Sequence, residues 1–482
     1  MSTSTPRVNV VCAPPNGPNP GMASVDLAFA HVARQAGLTD VRYWRLWDQS
    51  EWRTSPGGSE RLDDHRVRDA DTGLTYELAR GRLEEVLDAD RVVFWGDFLH
   101  MAVYLEHSAH VLTDRIGVPL DADAALRLTE QHLLLTDTDP AVLERVVTYG
   151  STLSFNTPGD YRDRYGTALR RFHRGVAAVS HRDLYSSEVA QRHRGGADSC
   201  RGTDAALVLP PPGPAGRADA DADADADDGG PGVLGVFVGR SRLSPEEVGT
   251  FGRRLAGSLG MRAAWLPWGH EPGFWPMRGR TRLRLAWPEL DAGVRTTSGM
   301  RRARLAASAL RDGPPPDEPL ALGELERRLA ACRLVLTDTY HLALTAWRLG
   351  VPAVCLVDPP HAEWSVNAGA PGSQRDKRVD LYSRLDALPL LVHALPGRLR
   401  SRAEVRRVVD ALAEGSAEAA ARAWVSERRS EETAHVLRML ALPVSVRPSE
   451  HRQIDHRPIE HRRIEHPERS GAPRPSSAGS RE

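Results

Sequence analysis

The stretch Leu334-Val335-Leu336-Thr337-Asp338-Thr339-Tyr340-His341, continuing through 342–350 to Val351-Pro352-Ala353-Val354-Cys355-Leu356, decides the fold. An apolar run, a turn of capping residue types, a helix-spaced segment, a Gly-Val-Pro break and a second apolar run make a βαβ unit. Gly350 suits a helix C-terminus, and Val351-Pro352 launches the next strand. Asp338 and Thr339 are N-cap residue types, so His341 is expected in the first helical turn, just past the strand's carboxyl end. Open α/β sheets bind ligands at that edge, and a helix N-terminus offers its N–H groups to an anion. A histidine there can donate a proton to an anionic substrate.

Working outward, both halves of the chain repeat this alternation. In the first half, strand-like runs at 8–12, 41–47, 91–95 and 175–180 alternate with helical spacing at 24–36, at 76–87, from about 99 and from 183. In the second half, strands at 233–238, 262–266, 334–337 and 353–357 alternate with helices at 245–259, 322–331 and 341–349. Alternating β and α with apolar strands predicts parallel sheets covered by helices. The expected fold class is therefore α/β, with two Rossmann-like domains facing across a cleft, at 7–210 and 233–415. Residues 211–232, with Pro/Gly flanks around an Ala-Asp repeat, read as an acidic, solvated linker. A helix at about 417–440, within 416–444, is expected to pack back across the first domain. Residues 445–482 carry a fading pentapeptide repeat, Glu450-His451-Arg452-Gln453-Ile454 and its successors, whose period fits neither helix nor strand. Its histidines are of a type that chelates metals, but a solvated, disordered tail is the expected reading.

The 482 residues suit two domains of about 200 residues each. The 63 basic and 64 acidic side chains leave a net charge of −1, which argues against a nucleic-acid binder. No apolar run reaches the ~20 residues needed to span a bilayer, and the N-terminus does not read as a signal peptide. Cys12, Cys200, Cys332 and Cys355 form no CxxC pair, so a cytosolic, reduced protein without a cysteine metal site is expected. Lys377 is the only lysine among the 63 basic residues. A lysine surviving such an arginine bias marks a place where a compact ammonium is needed, or survives by chance. The chain lacks GxxxxGK[ST], HExxH and GxSxG, and carries no GxGxxG after its first strand. Kinase-type transfer, zinc hydrolysis, serine esterase chemistry and nicotinamide binding lose weight accordingly.

The run DTYHLALTAWRLGVPAVCLVD at 338–358 resembles the hallmark of the polysaccharide pyruvyl transferase family. Supporting segments are Gln374-Arg375-Asp376-Lys377-Arg378, Val179-Ser180-His181-Arg182-Asp183 with Ser186, and Phe94-Trp95-Gly96-Asp97. The resemblance spans roughly 7–395 and implies a GT-B-like fold. It also implies transfer of a pyruvyl group from phosphoenolpyruvate, as co-substrate and without a further cofactor or metal, to a hydroxyl pair of a saccharide or its precursor. The family's arginine two residues before the histidine is Thr339 here, and its Asn-x-Gly-Asp turn is Asn19-Pro20-Gly21-Met22.

In that chemistry His341 would be the general acid, with Asp338 either orienting it or capping the helix. Lys377, Arg240 and the Thr339 hydroxyl would hold the phosphate and carboxylate. Asn19 and Ser24 would face the acceptor sugar, with turn chemistry and N-capping as their alternative role. Trp268, with Trp265 and His270 nearby, would stack on a sugar ring or pack in the core. Two other readings stay open: a GT-B glycosyltransferase using a nucleotide sugar, and a family member without catalysis that serves as a binding protein. The partner expected is a saccharide or other small molecule; whether the chain self-associates is not written in the sequence.

Overall fold

β1 (Arg7–Cys12) is a run of β-branched residues buried along nearly its whole length, as a central strand of a covered parallel sheet must be. The chain then turns at Asn19. Its side-chain oxygen accepts hydrogen bonds from the Gly21 and Met22 amides, and Pro20 opens the helix Pro20–Gln35 at the position where a missing N–H costs nothing. The same strand–helix step recurs through β2 (Asp40–Arg45), β6 (Arg91–Trp95), β7 (Val146–Ser151) and β8 (Ala178–His181). These join β1 in an eight-stranded sheet whose order is β3-β4-β5-β2-β1-β6-β7-β8. The computed structural model describes residues 6–441, apart from 16–18, 53–58, 155, 157–158, 161–162, 197–199, 213–231, 240–242, 269–282, 284–286, 288–289, 291–320, 358–375 and 396.

One edge of this sheet departs from the expected all-parallel pattern. β3 (Ser59–Arg61), β4 (Arg66–Asp69) and β5 (Thr75–Leu78) run antiparallel to one another, and β5 joins β2 in parallel. The expected helix at 76–87 is replaced by β5 and a short helix, Leu83–Leu87. The reason is local. Asp69 accepts the amides of Asp71 and Thr72, and Gly73 takes a positive φ of 67°, closing a hairpin turn. Val67 and Tyr76 are then paired across the hairpin with both side chains buried.

The second sheet has five strands in the order β10-β9-β11-β12-β13, all parallel. They are β9 (Val233–Phe237), β10 (Arg262–Trp265), β11 (Leu334–Thr337), β12 (Ala353–Val357) and β13 (Leu391–His393). The β11–helix–β12 unit forms as its sequence dictates, with helix Tyr340–Arg348 between the strands and Gly350 at φ 79° ending it. The chain is thus α/β with two Rossmann-type sheets, the first carrying an antiparallel edge.

Both sheets lie within one compact unit, Met1–Val444, and apolar residues of both enter one continuous core. Much of that junction is made by a 3-10 turn, Ala205–Val208, and by the helix Ser416–Leu440. From that helix Glu432 accepts a 2.7 Å hydrogen bond from the Tyr149 hydroxyl of β7, and Arg429 donates to the carbonyls of Leu207 and Arg348. The return of this helix to the first sheet was the sequence expectation. The bulk of the acidic linker and the whole repeat tail lie outside the described residues. All four cysteines are buried thiols. Among the described residues no helix is long and apolar enough to cross a membrane.

Candidate functional site

The carboxyl ends of the parallel strands gather a small set of chemically capable side chains. After β6, Gly96 and Asp97 both adopt positive φ (71° and 51°). A Cβ on Gly96 would lie 2.4 Å from Val25, so this reversal needs glycine. It sets Asp97 beneath the chain and Phe98 beyond it. After β8, Arg182 is 4% exposed and its Nη1 donates to Asp204 at 2.7 Å, with Asp97 at 3.7 Å. Its guanidinium lies 5.1 Å from the Phe98 ring and 5.4 Å from the Tyr340 ring. Nε and Nη2 of Arg182 have no hydrogen-bond partner among the described residues, donors that a bound anion would satisfy. The next residue is locked: Asp183 takes hydrogen bonds from Thr152, from Ser186 Oγ and from the Ser186 amide, capping helix Leu184–His193.

From the second sheet, Lys377 opens the helix Lys377–Arg384, and its Nζ stands 5.0 Å from Phe98 and 4.9 Å from Tyr340. Two cations from opposite sheets therefore share the same pair of rings. The adjacent Arg378 has a structural task. It pairs with Asp376 and donates to the carbonyls of Asp338 and Leu356, fastening this helix to the ends of β11 and β12. Burial alone would push the Asp204 carboxyl up, but His341, Arg182 and Lys377 hold it below the ordinary carboxylate range. Asp204 is ion-paired with Arg182, and the charges of His341 and Lys377 act on it as well.

His341 sits in the first turn of its helix, as expected, and is buried. A Cβ placed on Gly21 would fall 2.7 Å from His341 Cβ and Cγ. The N-terminus of the first helix of the first sheet therefore rests directly on this imidazole. Two helix N-termini, Pro20–Gln35 and Tyr340–Arg348, meet at one place, and each carries partial positive charge.

Several expected roles change. Asp338 accepts the Gly239 amide at 3.0 and 3.2 Å, tying the end of β11 to the end of β9. Thr339 occupies the N-cap position without a side-chain cap bond, and its hydroxyl donates to Asp338. The threonine hydroxyl is thus engaged with a carboxylate instead of being presented to an anion. Ser24 is completely buried and donates to the Gly21 carbonyl at 2.6 Å, so it cannot reach an acceptor sugar. Asn19 caps its own helix. Trp268 is 1% exposed inside the shared core and offers no ring face to a ligand. Trp265 packs on Phe237 with centroids 5.4 Å apart. Arg240 and His270 lie outside the described residues. Among the described residues no group of three His, Cys, Asp or Glu is placed to hold a metal ion.

Asp204 and Phe98 were not singled out by sequence reading, and Arg182, Asp97 and Tyr340 entered only within quoted motifs. The signal that marks Arg182 and Asp97 is position: each follows a buried strand directly. Asp204 carries no such signal, because it lies in a connection after the last strand of its sheet.

No family model and no curated relative matches the chain. Solved structures similar to it include UDP-GlcNAc 2-epimerase from Neisseria meningitidis, bound to UDP-GlcNAc (10% identity, 90% of this chain and 99% of that one, TM-score 0.42). Others are an α,α-trehalose 6-phosphate synthase from Burkholderia multivorans (13%, 90% and 98%, TM-score 0.41) and a spinosyn rhamnosyltransferase complexed with thymidine diphosphate (15%, 90% and 100%, TM-score 0.37). These are epimerases and sugar-transferring enzymes, not the pyruvyl transferases expected from the 338–358 run. The expectation of ketal-forming pyruvyl transfer from phosphoenolpyruvate is overturned, in keeping with the Thr339 hydroxyl being turned onto Asp338.

Proposed function

We propose that the chain is a GT-B-type glycosyltransferase that takes a nucleoside diphosphate sugar between its two sheets. The observation that carries this reading is that Arg182 and Lys377, from opposite sheets, stand on the same two rings, Phe98 and Tyr340, with Arg182 bonded to Asp204. A departing nucleoside diphosphate gains negative charge as the bond to the sugar's anomeric carbon breaks. Arg182, Lys377 and the N-terminus of helix Tyr340–Arg348 are the groups that would stabilise that charge. The acceptor hydroxyl forms the new bond to the anomeric carbon, and its proton passes to the His341 imidazole. Gly21, packed on that ring, limits where the acceptor can approach.

The test is thermal unfolding of the full chain with UDP, thymidine diphosphate or phosphoenolpyruvate. A ligand that binds only the native state stabilises it by about 2.7 kcal/mol at a hundredfold excess over Kd. A nucleoside diphosphate is expected to raise the midpoint of the wild type, with the shift lost in Lys377→Ala. Absence of a shift with either diphosphate, or a shift that Lys377→Ala leaves intact, overturns the assignment.

A further inference from the structure

A second cationic site lies where the helix Ser416–Leu440 crosses the ends of Lys377–Arg384 and of β8. A cavity of about 930 Å³ opens there, lined among others by Arg201, Arg384, Arg428, Arg438, His435 and Trp424. Four guanidiniums in one cavity demand counter-charge, and their partners are known. Arg428 is held by Glu431 and Glu432 at 2.8 and 2.7 Å, and Glu432 is also engaged by the Tyr149 hydroxyl. Arg384 pairs with Asp380 at 3.0 Å and donates to the Gly202 carbonyl. Among the described residues Arg201 and Arg438 make no ion pair within 4 Å, although Asp380 and Glu432 favour the charge on Arg201.

Two further donors point the same way. Arg384 Nε and His435 Nε2 are both shielded from solvent and lack a hydrogen-bond partner among the described residues. Buried donors are ordinarily satisfied, so Arg384 Nε, and His435 Nε2 in the tautomer that protonates it, mark a place for an acceptor that comes from outside the chain. The crowding is felt by Arg201, whose pKa falls through burial and through repulsion from Arg384 and Arg428, which outweigh the attraction of Asp380 and Glu432. An anion between them would relieve both.

We propose that this cavity binds an organic phosphate, its phosphoryl group held by Arg201, Arg384 and Arg438 and its body lying toward Trp424. The four guanidiniums outnumber the three carboxylates around them by one, and guanidiniums bind phosphoryl oxygens in paired hydrogen bonds. The site is distinct from the Arg182 and Lys377 cluster. Helix Lys377–Arg384 has Lys377 at its first residue and Arg384 at its last, which separates them by about 10 Å along the helix axis. An occupant would therefore fasten, through that helix, the element that carries Lys377.

The proposal is tested by titrating inorganic phosphate into the full chain by calorimetry. The wild type and an Arg201→Ala/Arg438→Ala double variant are compared, each with and without saturating UDP. Arg201 and Arg438 are exposed, so the double variant should fold, which its unfolding curve verifies. Phosphate is expected to bind the wild type with UDP present as without it, and about tenfold or more weaker to the double variant. Equal affinity in the double variant overturns the proposal. So does loss of binding when UDP is present, which would place the phosphate in the other cluster, and so does absence of binding to the wild type at about 10 mM. Failure of the nucleoside diphosphate to bind leaves this result unaffected, so the two readings are separable.

Discussion

Arg45 and Arg182 are both buried arginines of the first sheet, and they are treated oppositely. Arg45 donates from Nη1 to Asp48 and Asp69 and from Nη2 to Asp26, at 3.1 to 3.2 Å, and stacks 3.5 Å from the Tyr76 ring. Tyr76 in turn donates to Asp26 at 2.6 Å. Both Nη groups are spoken for, as a charge sealed in an interior requires, and only its Nε, like that of Arg182, has no hydrogen-bond partner among the described residues. Arg182 makes one short ion pair, leaves Nε and Nη2 without partners among the described residues, and faces two rings that it shares with a lysine from the other sheet. One arginine closes a network within its own sheet; the other holds hydrogen-bonding capacity in reserve at the junction of two.

The largest expected effect lies behind Arg182. His193 Nδ1 is 3.0 Å from His173 Nδ1, His173 Nε2 is 3.3 Å from His181 Nε2, and His181 Nδ1 is 2.9 Å from Ser151 Oγ. His100 completes the set through Thr148. Burial lowers all four, with His100 reaching about 3 and His181 and His193 about 4, while His173 is depressed further by the neighbouring imidazoles. The unfolded chain protonates these groups near ~6.5, so it binds protons that the native state refuses. Stability is complete above that pH and falls as pH drops toward 4, by about 1.4 kcal/mol per pH unit for each histidine that stays neutral. Urea midpoints measured from about pH 7.5 down to about pH 5 should follow this slope, and His173→Gln should flatten it. Amide exchange should rise in β8 before β2, since Arg45 has no such imidazoles behind it. An unchanged slope in His173→Gln would break the contrast between the regions.

Next in size, Arg45→Met strands three buried carboxylates and should cost about 3–5 kcal/mol in denaturant unfolding. Arg182→Gln should cost less, about 1–3 kcal/mol, because the charges of His341 and Lys377 still act on Asp204. It should, however, abolish the midpoint shift with a nucleoside diphosphate. If the two substitutions cost the same and Arg182→Gln keeps the shift, both arginines are structural and the comparison fails.

The legibility of these features follows from the range over which each is decided. The unit from Leu334 to Val357 reads directly, because buried strands, caps and a glycine stop are specified by residues a few positions apart. The same holds for the helix at the C-terminal end of the described chain. The hairpin at 59–78 was missed because its strands are short and part of its apolar spacing also fits a helix turn; cross-strand burial of Val67 and Tyr76 decided it. Asn19 and Ser24 are turn residues whichever way they face, and only the helix they begin turns them inward.

By itself, then, the sequence determined two α/β halves, the position of His341 at a strand's carboxyl end, and the singular lysine at 377. Tertiary structure alone decided that Gly21 lies against His341, that Trp268 belongs to the core, and that Arg182, bonded to Asp204, and Lys377 stand on the same two rings. Hydrophobic period and capping act along the chain, whereas charge pairing and ring contacts act through space between residues from 22 to more than two hundred positions apart. No local pattern encodes a distance of that kind, so the site appears only once the two sheets are packed together.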